Sequence, residues 1–550
     1  MASQSEPLSN VDAAWLSMDD PTNLMMITGV MTFKTPINTD HFLAVVEHRW
    51  LKFDRFTQRI RKPRLPIGKP HWETDPYFNV AAHIHRVALP EPGDQAALQR
   101  LVSDLASTPL DPSKPLWQVH IVENYGDGAA MIARLHHSIA DGLALVFVLL
   151  SLTDMTPDAP WPKAAEDGGE EDKNGTWFGG SALSLFKQGA SAVGTAAHLS
   201  SRAARESARI ITSPSHALDL MQQGADATYA ASRLMLLTPD PPTPFKGDLG
   251  VMKRAAWSLP LPLRDVKIVK NFSNTTVNDV LVSAVSGAIR RYLLEKGEEA
   301  EDFRAVVPVN MRTEEEMGKL GNKFGLVFLS LPVSIADPMK RLAEVSRRMA
   351  ALKDSSEAAV ALGILNVMGL SAAEIQSLIL SIFAMKATAV LTNVPGPPMP
   401  LFLAGSEIDD IMFWVPQSGR LGVGISILSY AGKVYLGIMT DAGLVPDPDQ
   451  IIEYFYDEFD LLKAEVVNFE KPQFSEAKTR RPERTDDLTR VHGIDAAVQE
   501  VLNEKGIFTY AQLAGTKGER LQELLDESGA RFNGLKPANW PAQARYLATL

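Results

Sequence analysis

Apolar positions change their period several times along the chain, and each period names an element. MIARLHH at 131–137 reads as a strand, and GLALVFVLLSL at 142–152 follows it as a helix. A second helix is predicted at about 277–294, followed by the strand-like runs AVVPVN, LVFLSLPV and KATAVLTNV. GVGISILSY and KVYLGIMTD then alternate apolar and polar residues on either side of Ala431-Gly432, the mark of a hairpin. Both halves are therefore mixed α/β.

Between the halves, Leu183, Phe186, Ala190, Val193 and Ala197 recur at steps of three and four, the apolar stripe of a helical insert at 181–237. The insert carries Lys187, Arg202, Arg205, Arg209 and Arg233 against Glu206, Asp219 and Asp226, so it is locally basic. A lipid-surface contact is one reading; a helix pair packed on its own protein is the ordinary one. Four breaks punctuate the chain: the Pro-, Gly- and acid-rich stretch 159–180, the Pro-rich 239–247, the Val-Pro-Gly-Pro-Pro loop at 394–398 and the charged 471–486. They divide the chain into an N-terminal lobe at 1–158, a linker and insert at 159–246, a C-terminal lobe at 247–470, a tether at 471–485 and a short helical tail at 486–550.

Composition narrows the chemistry. With 550 residues the chain is long enough for several structural units and a well-buried core. Its 54 Lys and Arg against 66 Asp and Glu give a net charge of -12, which argues against non-specific nucleic-acid binding. Zero cysteines remove disulfides, thiolate nucleophiles and Cys-ligated metal centres. The N-terminus lacks a basic region followed by an apolar core, and the longest apolar stretch, Leu143 to Leu150, is too short to span a bilayer. The expectation is a cytoplasmic protein, soluble or held peripherally on the inner membrane face or on lipid inclusions.

The informative segment is Arg134-Leu135-His136-His137-Ser138-Ile139-Ala140-Asp141-Gly142. At a strand end, adjacent histidines face opposite sides of the sheet, so one imidazole can be anchored in protein while the other faces a cleft. Asp141 stands where a carboxylate caps the following helix or holds the turn through a charged partner, and Gly142 leaves room for backbone or ligand. An imidazole that is mostly unprotonated at neutral pH can take a proton from a hydroxyl or thiol. No Gly-x-Ser-x-Gly elbow is present, so direct attack of a His-activated hydroxyl on an acyl donor is simpler than a covalent acyl-enzyme. The bland alternative is a buried, hydrogen-bonded histidine pair.

HHSIADG resembles the HHxxxDG signature of acyltransferases with the chloramphenicol-acetyltransferase-like fold, and the chain resembles bacterial wax ester synthase/acyl-CoA:diacylglycerol acyltransferases in particular. The matching pieces, in order, are LSNVDAAWLSMDDPTNLM at 8–25, DPSKPLW at 111–117, HHSIADG, TVNDVLVSAVSGAIRRYL at 276–293, VPVNMR at 307–312, GNKFG at 321–325 and TNVPGPP at 392–398. The resemblance spans about residues 7 to 470. It implies two acetyltransferase-like lobes with a tunnel between them, an acyl-CoA co-substrate, no other cofactor, and a long-chain alcohol or diacylglycerol acceptor. It also implies that His137 is the general base, that His136 and Asp141 are mainly architectural, and that Asn278 and Asp279 are the family's Asn-Asp pair.

Read from the residues, Asp279 is the acidic partner of a capping box begun by Thr275 or Thr276. Asn278 falls in the first helical turn, where its amide could donate to an oxyanion. Trp117 could fill a core or line an acyl path, with the core favoured. Asn393 reads as a strand-terminating turn residue near the cleft, and Arg312 could meet a phosphate or Asp141. Arg290, Arg291, Lys253 and Arg254 are candidates for the donor phosphates. His83 and His85 have a metal-compatible spacing without an evident third ligand, which favours surface placement; His41, His48 and His198 read as solvent-facing.

In the tail, VHGID at 491–495 resembles the hairpin of helix-hairpin-helix modules. Asp495 at the second glycine position, with nine acidic against seven basic residues from 485 onward, argues against DNA and for protein contact or stabilisation. Two other classes stay open at this level: a non-catalytic lipid-surface protein on the same fold, and a condensation-type transferase that uses a carrier-bound acyl donor.

Overall fold

A computed structural model describes residues 5–63, 68–161, 238–312, 320–353, 361, 385–417, 419–470, 485–528, 532, 535 and 537–548. The expected helical insert at 181–237, His198, and all but the last residue of the tether at 471–485 lie outside them. The chain divides into two compact units. One comprises residues 1–261, 293–331 and 350–452; the other comprises 262–292, 332–349 and 453–550.

The first unit contains two large sheets. In one, Trp117–Tyr125, Gly128–His136 and Met26–Phe33 run antiparallel, and Ile84–Val87 joins in parallel beside Trp117–Tyr125. The two inner strands, Met26–Phe33 and Gly128–His136, are buried along nearly their whole length because both of their faces are covered. MIARLHH lies at the end of Gly128–His136, and GLALVFVLLSL forms the helix Gly142–Leu152, as the pattern predicts.

The far edge of this sheet comes from the second half of the chain. Ser406–Trp414 pairs antiparallel with Met26–Phe33, Trp414 opposite Thr28, so a strand more than 370 residues away completes the first sheet. The second sheet runs in the order Phe324–Leu331, Phe303–Asn310, Ala389–Pro395, Val423–Tyr430, Lys433–Asp441 and Lys253–Trp257. Its hairpin turns at Ala431 and Gly432, with φ of 47° and 77°, the left-handed pair that a two-residue hairpin turn requires. The two sheets touch where Gly437 leaves room for Met412 and Trp414; a Cβ there would strike both side chains.

The second unit is helical. Val277–Glu295 begins with the expected capping box: the Thr276 amide donates to Asp279 at 2.9 Å, and the Asp279 amide donates to the Thr276 hydroxyl at 3.1 Å. Asp279 Oδ2 also accepts from the Ser346 hydroxyl at 3.1 Å, while its Oδ1 is buried without a hydrogen-bond partner among the described residues. Buried Arg341 pairs with Glu458 beside Gly287, where no side chain fits. In the tail, Leu488, Leu502, Leu513, Leu525 and Trp540 share a core, and the Arg545 guanidinium lies 4.7 Å from the Phe272 ring centre. Asp495 caps the helix Ala496–Glu504 by accepting the Val498 amide at 2.8 Å, so its carboxylate occupies the helix start. No helix among the described residues is long and apolar enough to cross a membrane.

Candidate active site

The strand Gly128–His136 delivers the two histidines into different surroundings. His136 keeps its ring in protein: Nδ1 accepts the Ser138 amide at 3.1 Å and lies 2.8 Å from the Ser138 hydroxyl. An acceptor Nδ1 leaves the neutral ring's proton on Nε2, which lies 3.7 Å from Asp19. Burial pushes the Asp19 carboxyl up, but the nearby His136 ring and the Met25 amide, which donates to it at 2.8 Å, outweigh burial and hold Asp19 below its ordinary value. His136 is thus the anchored member of the pair.

His137 follows the strand and donates its amide to the Met25 carbonyl at 2.7 Å. Its ring stacks on Trp15, with centroids 4.1 Å apart and planes 21° from parallel, while Phe324 stands 5.7 Å away. The residue is only 5% exposed, and its Nδ1 is buried without a hydrogen-bond partner among the described residues. Burial drives the imidazole pKa down to about 4, against the opposing pull of Asp141. At neutral pH His137 is an uncharged imidazole.

The turn between these histidines and the helix Gly142–Leu152 is fixed from the other half of the sequence. Asp141 caps the helix by accepting the Ala144 amide at 2.9 Å, accepts the Lys323 amide at 3.0 Å and forms a buried ion pair with Arg312. Arg312 also donates to the Gly321 carbonyl at 2.6 Å. Arg312 thus pairs with Asp141, one of the two partners expected for it. The Asn322 side-chain amide bridges the same region, donating to the His137 carbonyl and to Asp12, each at 2.7 Å. Asp12 is buried, which raises its carboxyl pKa despite the hydrogen bond from Asn322.

Gly142 opens the helix and lines an apolar cavity of about 110 Å³ together with Val30, Met131, Leu149, Ile411 and Phe413. A Cβ at Gly142 would meet nothing within 4 Å, so the space that this glycine leaves is unfilled by protein. The cavity is walled by the sheet on one side and the helix Gly142–Leu152 on the other, with no charged side chain among the described residues that line it. Such a cavity suits an alkyl chain.

Other expected site residues lie elsewhere in the fold. Trp117 is 1% exposed, donates its indole N–H to the Phe56 carbonyl at 2.8 Å and packs on Trp50, which makes it core. Asn393 is inside the strand Ala389–Pro395, opposite Ile427, and so does not terminate it; the chain leaves the strand at Gly396 and bends at Pro398 and Met399. Asn278 is half-buried in the first turn of Val277–Glu295, in the second unit.

Among the candidate phosphate ligands, Lys253 is buried on Asp441 at 2.8 Å and Arg291 is held by Asp457 and Glu458. Arg290 is committed to the carbonyls of Val333 and Ser334. Arg254 is exposed. Two histidines expected at the surface are buried: His83 stacks on Trp117 with centroids 4.4 Å apart, and His41 stacks on Trp161 at 4.6 Å. Burial lowers the pKa of both. Among the described residues no group of three or more His, Asp or Glu is arranged to hold a metal ion.

Sequence reasoning passed over Trp15, Asp12, Asn322 and Phe324 as individual residues, although all four lie inside the quoted stretches LSNVDAAWLSMDDPTNLM and GNKFG. The signal was the presence of these stretches in one chain; what they contact depends on tertiary pairing.

Comparison with known proteins places these motifs. The wax ester synthase/diacylglycerol acyltransferase catalytic domain matches residues 8–281, and the WS/DGAT C-terminal domain matches 320–463. The RS2/RL21/YNQ2 HHH domain matches the tail at 488–548. A putative diacylglycerol O-acyltransferase of Mycobacterium tuberculosis is 29% identical over 459 residues, covering 80% of this chain and 87% of the relative.

Among solved structures, the wax ester synthase/diacylglycerol acyltransferase of Marinobacter aquaeolei aligns with a TM-score of 0.59 at 19% identity, covering 84% of this chain and all of the other. The TRI3 trichothecene 15-O-acetyltransferase of Fusarium sporotrichioides aligns with a TM-score of 0.55 at 12% identity, covering 84% and 95% respectively. At these identities the two structures establish the shared two-lobed α/β fold.

Proposed function

The chain belongs to the wax ester synthase/diacylglycerol acyltransferase family, and from that premise we propose that His137 is the general base of an acyl-CoA-dependent O-acyltransferase. The acceptor is a long-chain alcohol or a diacylglycerol, giving a wax ester or a triacylglycerol. One observation carries the assignment of the base: an imidazole stacked on Trp15, with Phe324 beside both rings, and anchored through its backbone sits five residues before the glycine that lines an apolar cavity.

The acceptor hydroxyl gives its proton to His137 as its oxygen attacks the thioester carbonyl. The tetrahedral species collapses, the C–S bond breaks, and the imidazolium returns the proton to the CoA thiolate. The ring ends neutral and no covalent enzyme intermediate forms. His136 and Asp141 act by holding the turn.

The test is CoA release from palmitoyl-CoA with hexadecanol or dioleoylglycerol by the full chain. General-base catalysis contributes roughly 10²–10⁴-fold, so His137→Ala should lose at least about a hundredfold in kcat with its circular dichroism unchanged. Turnover within about tenfold of the parent would remove His137 from the reaction.

A further inference from the structure

His137 lacks the usual support of a catalytic histidine. No carboxylate reaches its Nδ1, which is buried and unpartnered among the described residues. A ring that accepts a proton in this setting becomes a buried cation. The nearby charges only partly offset one another: Asp141 favours the cation and His136 opposes it. Asp141 is already paired with Arg312, and Asp12, on the same helix as Trp15, is engaged by Asn322.

What covers the ring is aromatic. Trp15 lies parallel to it at 4.1 Å, and Phe324 stands 5.7 Å from the imidazole and 5.8 Å from the indole. The Trp15 indole N–H has no hydrogen-bond partner among the described residues, so stacking rather than hydrogen bonding holds the indole. The helix that carries Trp15, Asn10–Ser17, is fixed relative to the same histidine a second time, because Asp12 and the His137 carbonyl share the Asn322 amide. Two connections from one helix, one to the ring and one to its backbone, hold the indole face over the imidazole.

The geometry points to Trp15 as a positioning residue that stabilises the protonated form of His137 through the face of its indole, in place of the carboxylate that the ring lacks. This inference rests on the reading of His137 as the base. Tryptophan has the most electron-rich face of the aromatic side chains, and a cation on that face gains most where water is excluded, as it is here. The face contributes little to the neutral ground state and most once the proton has moved, so it acts on kcat more than on KM.

The experiment uses the full chain with fluorinated tryptophans incorporated at position 15 alone. Fluorine keeps the shape of the ring and withdraws electron density from its face. Wild-type Trp, mono-, di- and trifluoro-Trp are compared in kcat and KM for palmitoyl-CoA plus hexadecanol, and the ring pKa of His137 is followed by NMR of ¹³C-labelled histidine. The expected result is a stepwise fall in log kcat, reaching about tenfold across the series, with KM steady and the His137 pKa falling in the same order. Trp15→Phe should retain part of the rate and Trp15→Leu least.

If kcat and the ring pKa are flat across the fluorine series while His137→Ala is inactive, the inference about Trp15 is wrong and the base assignment stands. If the ring pKa moves while kcat does not, proton transfer to His137 is not part of the reaction, and both readings fall.

Discussion

Replacing Asp141 by Asn removes one charge and almost no volume, which isolates the ion pair that ties the histidine turn to Arg312. One carboxylate oxygen caps Gly142–Leu152 through the Ala144 amide; the other takes the Lys323 amide and the Arg312 guanidinium. Asparagine can keep the cap with its single carbonyl oxygen. Its NH₂ then faces two donors, and Arg312, 4% exposed, is left as a buried cation without a counter-charge. Breaking one side of such a pair costs about 3–5 kcal/mol, and the retained cap spares a further ~1 kcal/mol.

For a unit of several hundred residues, at roughly 2 cal/mol/K per residue, that loss lowers the melting temperature by about 5 °C. Scanning calorimetry on Asp141→Asn, Arg312→Met and the double variant reads it directly. The double variant buries neither charge and should recover more than half of the loss of Asp141→Asn, while all three lose kcat because the turn carrying His137 is no longer stapled. Additive losses in the double variant, or an Asp141→Asn chain within about 1 °C of the parent, would show that this pair does not hold the turn.

Two further outcomes follow from the same geometry. Ala133 lies on the cavity side of Gly128–His136, so Ala133→Phe should fill the space of about 110 Å³; activity on hexadecanol should fall at least about tenfold while butanol remains a substrate, measured by CoA release with each alcohol. The second concerns acid. His137 titrates near 6.5 when unfolded and about 4 when folded, so the unfolded chain binds the extra proton between those values and stability falls as pH drops through that window, by about 3 kcal/mol. Urea midpoints from pH 7 to pH 4 should fall less steeply for His137→Gln than for the parent, with His120, also depressed to about 4 by burial, accounting for part of the remaining slope.

Local chemistry made much of the fold readable. The helix at 142–152 and the hairpin at Ala431-Gly432 depend on period and turn residues within ten or so positions, and the box of Thr276 and Asp279 closes over three. The reading lost ground where placement depended on distant partners. Ser406–Trp414 mixes three acidic residues with apolar ones, and nothing local says that its neighbour is Met26–Phe33. His83 was expected outside for want of a third metal ligand and His41 for its place on a helical pattern, yet each stacks on a tryptophan contributed by another part of the chain. Lys253, Arg290 and Arg291 were candidates for the donor phosphates, and their long side chains reach acids or carbonyls that sequence spacing does not bring near.

The same distinction separates the motif from the site. HHSIADG supplies the imidazole, the cap and the glycine, but none of these makes His137 neutral or holds it still. Its ring is covered by residues 15 and 324, its carbonyl is held by residue 322, and the turn behind it is locked by residue 312. Each contact comes from a stretch that, read alone, has a structural explanation. A histidine whose pKa is set by burial needs every wall of that burial in place, so the low pKa belongs to the folded first unit rather than to the seven-residue signature. Loss of function from changes at Trp15, Asn322 or Arg312 is therefore expected to look catalytic in kinetics although none of the three transfers a proton.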